Sequence, residues 1–319
     1  MPVLLPIFLW DHIRAYLPTN AVEKLINTNP IFNTAFPDLF YKAKFMSQCN
    51  QSCIVVYESD IDPIAPLSPS LLKKHFWMHA LENKINCKNK VSDIMNRISY
   101  HNELRTNSAH TYYKVFYMTM ISYDANENYD FHHKKCSVEI NGINNNNVIK
   151  YYCPKQYYEY KIAFSGIKSL VLNNVSYCNI TTVISNVKSL HINNCIFGNC
   201  MLNIELTQNI VVADCKFINR NSSVVINSNK STNCISSGCL DTINIVKNQF
   251  CGIRREHIDI SVRHSSETPK INISENKFAK RQKLYQGIPN CELSVVNNNV
   301  LIDIIDENRR TNRLCVQNE

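Results

Sequence analysis

Three stretches of the chain superimpose residue on residue: Leu170-Val-Leu-Asn-Asn-Val175-Ser-Tyr177, Leu190-His-Ile-Asn-Asn-Cys195-Ile-Phe197 and Ile210-Val-Val-Ala-Asp-Cys215-Lys-Phe217. They are spaced 20 residues apart, and each reads apolar-x-apolar-x-x-(Cys or Val)-x-aromatic. Related copies follow at wider intervals, with Ile243, Ile245, Asn248 and Phe250, then Ile271, Ile273, Asn276 and Phe278, then Leu293, Val295, Asn298 and Val300 in the equivalent places. A repeat this short cannot bury its own apolar face, so it must stack on its neighbours in a solenoid.

A leucine-rich repeat shares the short motif and stands as the alternative fold. It places helix or helical turn between copies, whereas here the intervening stretches alternate: Ile180, Thr182 and Ile184; Leu202, Ile204 and Leu206; Val224 and Ile226; Ile258, Ile260 and Val262. Period-two patterning rich in β-branched residues predicts at least two strands per coil, and hence a parallel β-helix. The sixth residue of each copy is expected at a sharp turn, where Asn tolerates left-handed backbone. Stacking would set Cys195 over Cys215 and build an Asn248, Asn276 and Asn298 ladder. On these residues the segment at about 167–300 resembles the pectate-lyase-like right-handed parallel β-helix. That resemblance implies an architecture shared by polysaccharide lyases, sugar hydrolases and non-enzymatic recognition domains, so function needs a site of its own.

The N-terminus carries a second pattern. Leu5-Pro6, Leu9, Ile13 and Leu17-Pro18 place apolar residues on one helix face at spacings of four, and the second Leu-Pro ends the helix. Asn20 is expected to cap a short helix through Leu25 and Ile26, and Pro30 to open a third through Ile31, Phe32, Phe36, Leu39 and Phe40. This unit resembles the F-box, departing from it at Phe8, where the family usually has Glu, and at Thr28-Asn29, where it favours an apolar-Cys pair. The resemblance implies docking through Leu5, Pro6, Leu9, Ile13, Leu17 and Pro18 onto a Skp-type adaptor and its cullin scaffold. The same helices could instead cap the solenoid's end, which must be covered against edge pairing.

The sequence thus divides into an F-box-like three-helix unit at residues 1–45, a linker and mixed α/β region at 46–135, and β-helix repeats at 136–319. In the middle region residues 60–69 hold Pro63, Pro66 and Pro69 as a stiff linker, Ser68-Pro69 start a helix through Leu71, Leu72, Phe76, Trp77 and Ala80, and a second helix spans 91–98. Residues 112–123 read as strand. The fold expected is mostly β with a helical N-terminal part.

Chemistry is sparse. Cys49, Cys53, His132, His133 and Cys136 match no compact zinc spacing, and Asp214, Asp241 and Asp259 share no repeat position, so neither a metal, a cofactor nor a catalytic set is expected. The 14 cysteines are scattered, several at interior positions, which predicts free thiols in a reducing compartment. The apolar run at residues 1–10 is too short for a membrane span and lacks the flanks of a signal peptide. A net charge of +8 with lysines and arginines spread along the chain predicts solvated faces rather than nucleic-acid binding, and an acidic or phosphorylated degron as a suitable partner.

The function expected is a non-catalytic substrate adaptor of a Skp-cullin-F-box ubiquitin ligase, cytoplasmic, with the β-helix binding a protein target. The alternative is a polysaccharide-binding or polysaccharide-cleaving β-helix protein with a helical cap. Richness in Asn, Ile, Lys and Tyr, as an A·T-rich genome gives, adds a viral variant of the adaptor reading that works in the host cytoplasm or nucleus.

Overall fold

The computed structural model describes residues 21, 24, 37–48, 52–58, 70–87, 91–103, 110–117, 120–122, 127–130, 136–142, 149–151, 161–218, 222–227, 240–252, 257–261, 268–280, 282–286, 291–300, 302–306 and 314–315. The described part is mostly β. Beyond the helical residues Ala21 and Lys24, the described helices are α1 (Pro37–Gln48), α2 (Ser70–Asn83) and α3 (Val91–Glu103), with the strands Cys53–Glu58 and Lys84–Asn86 between them. Downstream of Glu103 every described element is a strand.

The repeat resolves into three strands per coil, within the expectation of at least two. From Ser169 the chain runs through Ser169–Asn173 in sheet 1, Ser176–Cys178 in sheet 2 and Thr181–Ser185 in sheet 3, then starts the next coil at Ser189–Asn193. Equivalent strands of successive coils pair in parallel register, Leu170 on Leu190 on Ile210 on Ile243 on Ile271 on Leu293. The wider spacings of the later copies therefore lengthen corners and leave the strands aligned. Among the described residues sheet 1 has ten strands, sheet 2 five and sheet 3 nine. This course is compatible with a parallel β-helix.

Alternation decides what fills the interior. Leu170, Leu172 and their equivalents point inward from sheet 1, and Ile184, Ile204, Ile226 and Ile260 from sheet 3. Sheet 2 is too short for a long pattern, yet its one inward position is always aromatic. Tyr177, Phe197, Phe217, Phe250 and Phe278 form a continuous stack with centroids 5.5, 4.9, 4.7 and 4.8 Å apart and planes within 11° of parallel. The rings recur near the rung spacing, so each inner one packs on the ring before it and the ring after it.

The corners obey one rule, and it corrects the expected turn position. The left-handed residue is the fifth of each copy, not the sixth: Asn174, Asn194, Asp214, Lys247, Glu275 and Asn297 have φ between 50° and 57°. Its N–H donates to the next coil, as from Asn174 to Asn193 O at 3.1 Å and from Lys247 to Ser274 O at 3.1 Å. Asn179 and Asn199 do the same at the second corner, and Asn186 and Leu206 at the third. The sixth residue instead turns into the core.

Upstream, sheet 1 extends beyond the repeats. Thr111–Tyr117 pairs parallel to Cys136–Gly142, and Cys53–Glu58 pairs antiparallel to Thr111–Tyr117. The expected boundary at residue 136 thus falls between two hydrogen-bonded neighbours. Ile54 faces the main core with Ile94, Met95 and Ile98 of α3, while Cys53, Val55 and Phe116 face a second core with Phe45 of α1 and Ala80 of α2. So α1 and α2 lie on the outer face of sheet 1. The third helix of the N-terminal unit, expected to open at Pro30, includes Leu39 and Phe40 but runs on to Gln48.

Replacing Phe217 with Ala should cost about 3–5 kcal/mol, because it opens a gap in the middle of the ring stack. Chemical denaturation of the full chain measures this; a loss below about 1 kcal/mol, as at a surface position, would mean that the ring is not in the core.

Candidate functional site

Two polar ladders run through the apolar interior. In the first, Asn276 Oδ1 accepts from the backbone N–H of Asn248 at 2.9 Å and its side-chain amide at 3.0 Å, while Asn276 Nδ2 donates to Ile245 O at 2.8 Å. Asn298 repeats the arrangement one coil on, accepting from Asn276 and donating to Ile273 O at 2.9 Å. The two cysteines of the same column have one S–H each and two carbonyls within reach: Cys195 lies 3.4 Å from Leu172 O of the preceding coil and 3.3 Å from Asn193 O of its own, and Cys215 3.7 Å from Ile192 O and 3.1 Å from Ala213 O. The column satisfies carbonyls that the corner pulls out of the sheet ladder.

The second ladder lies at the corner between sheets 2 and 3. It comprises Cys200, Ser222, His257 and Gln282, all buried. The Cys200 N–H donates to Ser222 Oγ at 3.3 Å, and Ser222 Oγ donates to Phe197 O at 2.9 Å and to Ile218 O. His257 lies against Phe250, its Nδ1 2.9 Å from Ser222 O and its Nε2 3.1 Å from Gly252 O. The His257 N–H donates to Gln282 Oε1 at 3.3 Å. A serine, a histidine and a cysteine in one cluster suggest nucleophilic chemistry, but the geometry assigns them to structure. The imidazole meets the carbonyl of Ser222 rather than its hydroxyl, and all three are sealed from solvent.

Thiol reactivity follows burial. Desolvation pushes Cys136 and Cys200 up to about 12, and it holds Cys215 well above the usual thiol range, with Cys195 beside it adding to the shift. Cys87, Cys136, Cys195, Cys200, Cys215 and Cys251 are free thiols, and of these only Cys251 is exposed. His191, half-buried on the outer face of sheet 1, is lowered by the same desolvation.

Two of the five zinc candidates are described, and they lie in different cores. Cys53 belongs to the core under α1 and α2 and Cys136 to the main core, while Cys49, His132 and His133 lie outside the described residues. Among the described residues no group of three His, Cys, Asp or Glu side chains is placed to hold a metal ion. Also among them, no helix is long and apolar enough to cross a membrane.

The residues expected to dock an adaptor, Leu5, Pro6, Leu9, Ile13, Leu17 and Pro18, lie outside the described residues. What is described is the seat of α1 on sheet 1. Tyr41 and Phe45 of α1 are buried, with Phe45 5.5 Å from Trp77 and 5.1 Å from Phe116 of sheet 1. Lys114 lies 4.5 Å over Phe76 and pairs with Glu139 at 2.9 Å. The outer faces differ beyond this seat. Before Lys270, sheet 1 turns out the uncharged Ser189, Asn209, Thr242 and Asn244 together with His191 and Val211, whereas sheet 2 turns Lys216, Gln249 and Lys277 outward, the three of them exposed. Neither the second ladder nor the sheet 2 face announced itself in sequence; the one signal for the face was a lysine directly before the aromatic in Lys216-Phe217 and Lys277-Phe278.

Comparison of the chain with protein families, with curated proteins and with solved structures finds no match.

Two outcomes follow. Asn276→Ala orphans the buried N–H of Asn248 and the carbonyl of Ile245, so it should cost at least about 2 kcal/mol in denaturant unfolding. Asn276→Asp, which keeps the shape but loses the donor, should be no better, while Asn272→Asp on the outer face should be near neutral. For the thiols, iodoacetamide at neutral pH should label Cys251 in the folded chain and reach Cys200 and Cys215 only after unfolding. Because Cys136 and Cys200 are raised on folding, they stabilise below the unfolded thiol value. That contribution should be lost as pH climbs from about 9 toward about 12, read as a falling denaturation midpoint.

Proposed function

We propose that the protein is a substrate-recognition adaptor of a Skp-cullin-F-box ubiquitin ligase. The N-terminal residues 1–45 dock the Skp-type adaptor, and a pectate-lyase-like right-handed parallel β-helix presents the target. The observation that carries the reading is the Leu5-Pro6, Leu9, Ile13, Leu17-Pro18 pattern leading into α1, whose buried Tyr41 and Phe45 fasten it to the start of the column. An adaptor has to hold its target at a fixed place relative to the ligase, and a helix packed on a long sheet supplies that rigidity. The reading needs no catalytic group, and it is supported by the burial of Cys200, Ser222 and His257, which leaves them to structural work. It acts in the cytoplasm, or in a host's cytoplasm or nucleus if the chain is viral, and it calls for no cofactor, nucleic acid or membrane.

A polysaccharide ligand is the second reading. It is favoured by the uncharged hydrogen-bonding groups of the outer face of sheet 1, such as Asn244 and Asn272.

The deciding experiment is co-purification. The full chain should capture a Skp-type adaptor and cullin, and Leu5→Ala with Pro6→Ala should abolish capture while leaving the unfolding transition in place, since apolar helix anchors dominate such interfaces. Absence of capture by the unaltered chain defeats the ligase reading, and binding to acidic sugars would then promote the second.

A further inference from the structure

The three outer faces of the column are not equivalent. The first strands of sheet 1 are covered by α1 and α2, and its later strands are uncharged until Lys270 and Glu292, which pair at 3.7 Å. Sheet 2 is narrow and open. From the third coil onward its outward positions are Lys216, Gln249 and Lys277 in one column and Ile218, Cys251 and Ala279 beside it, all exposed. The adjoining corner adds Asp214, Lys247 and Glu275, and the strand exit adds Lys280, also exposed.

Four lysines thus stand against two carboxylates on a strip two or three residues wide. One carboxylate, Glu275, meets Lys247 at 3.9 Å, with the two side chains 53% and 57% exposed, so that pair is weak and open to exchange. In sequence the segments that next leave sheet 2 carry Arg220, then Arg254 and Arg255, then Arg281, against one acid, Glu256. These arginines lie outside the described residues and form no part of the site, but the charge bias of the sequence runs the same way.

We propose that the outer face of sheet 2, centred on Lys216, Lys247 and Lys277, binds an acidic, extended peptide segment. This deepens the adaptor reading and rests on it for its biological use, because it names the class of target segment. Charge complementarity selects an anion. Lys216 and Lys277 sit two rungs apart, about 9.6 Å at the usual strand spacing, which is roughly the reach of three residues of an extended chain. Carboxylates or phosphates three residues apart along such a chain would meet both ammonium groups. Single-stranded nucleic acid would want aromatic platforms on the same face, and here every aromatic of the strip, Phe217, Phe250 and Phe278, points inward and is stacked in the core. Exposed Ile218 offers the apolar contact that a peptide side chain can use.

The test is fluorescence anisotropy of the full chain with a short labelled peptide rich in Glu and phosphoserine, beside its Gln and Ser counterpart and an oligothymidylate of similar length. The acidic peptide should bind, more weakly as salt rises, and the neutral peptide should not. Lys216→Glu with Lys277→Glu should weaken binding at least about tenfold, each lost charge contact being worth about 1 kcal/mol or more. Lys188→Glu, at the corner between sheets 3 and 1, should leave binding unchanged. Both variants should unfold at the same midpoint as the unaltered chain. No binding of the acidic peptide, equal loss in the Lys188 variant, or preference for the oligothymidylate overturns the proposal. Because the assay contains no Skp-type adaptor, its outcome is separate from that of the co-purification.

Discussion

A chain that winds through three short strands must turn three times per coil, and each turn takes backbone amides and carbonyls away from their sheet. Left alone in an apolar interior, each such group would cost about 1–3 kcal/mol, so the column exists only if the corners are satisfied from outside the strands. The protein meets this with two devices acting on opposite sides of the same bend. Outside, a residue in the left-handed region aims its N–H at the following coil, as Asn174 does toward Asn193. Inside, the next residue sends a donor back to the preceding coil, as Asn248 does toward Val212 O at 2.9 Å. Both devices reach across coils, so no coil is finished without its neighbour, and the corners supply cooperativity that the strands alone would not.

This explains why sulfur and amide share one column. Cys215 has one donor to share between Ala213 O of its own coil at 3.1 Å and Ile192 O of the preceding one at 3.7 Å, whereas Asn248 closes the carbonyl of Val212 and also accepts from the N–H of Cys215 at 2.9 Å. The switch from Cys to Asn coincides with the point where the spacing leaves 20 residues and the corners lengthen. A side chain with both a donor and an acceptor ties adjacent coils more firmly than a thiol can, and it is found where the copies are spaced more widely in sequence.

Much of this was legible in the sequence because inward positions repeat in chemical type. Leu190, Ile192 and Phe197 and their equivalents announced the coil, the ring stack and the Asn ladder. Sheet 2 as a separate strand was hidden, since two or three residues such as Lys277 and Phe278 show no alternation. The left-handed position was misplaced by one, because Asp214, Lys247 and Glu275 are held there by an inter-coil hydrogen bond rather than by side-chain preference, which points to the Asn beside them. The second ladder was hidden for a related reason: Cys200, Ser222, His257 and Gln282 share a place but neither a residue type nor a spacing. Upstream, Cys53–Glu58 joins sheet 1 antiparallel and so stands outside the repeat that organised the reading.

The seat of α1 and the parallel register together give the column the properties of a graduated rod. Phe45 and Phe116 fix one end, and each coil adds one rung of about 4.8 Å along the axis. A side chain's distance from the seat is then a count of coils, independent of what hangs from the corners. Removing one 20-residue coil would move everything beyond it by a single step while keeping the same residues facing outward. In such a molecule reach is set by copy number, and the chemistry of each rung can vary without altering it.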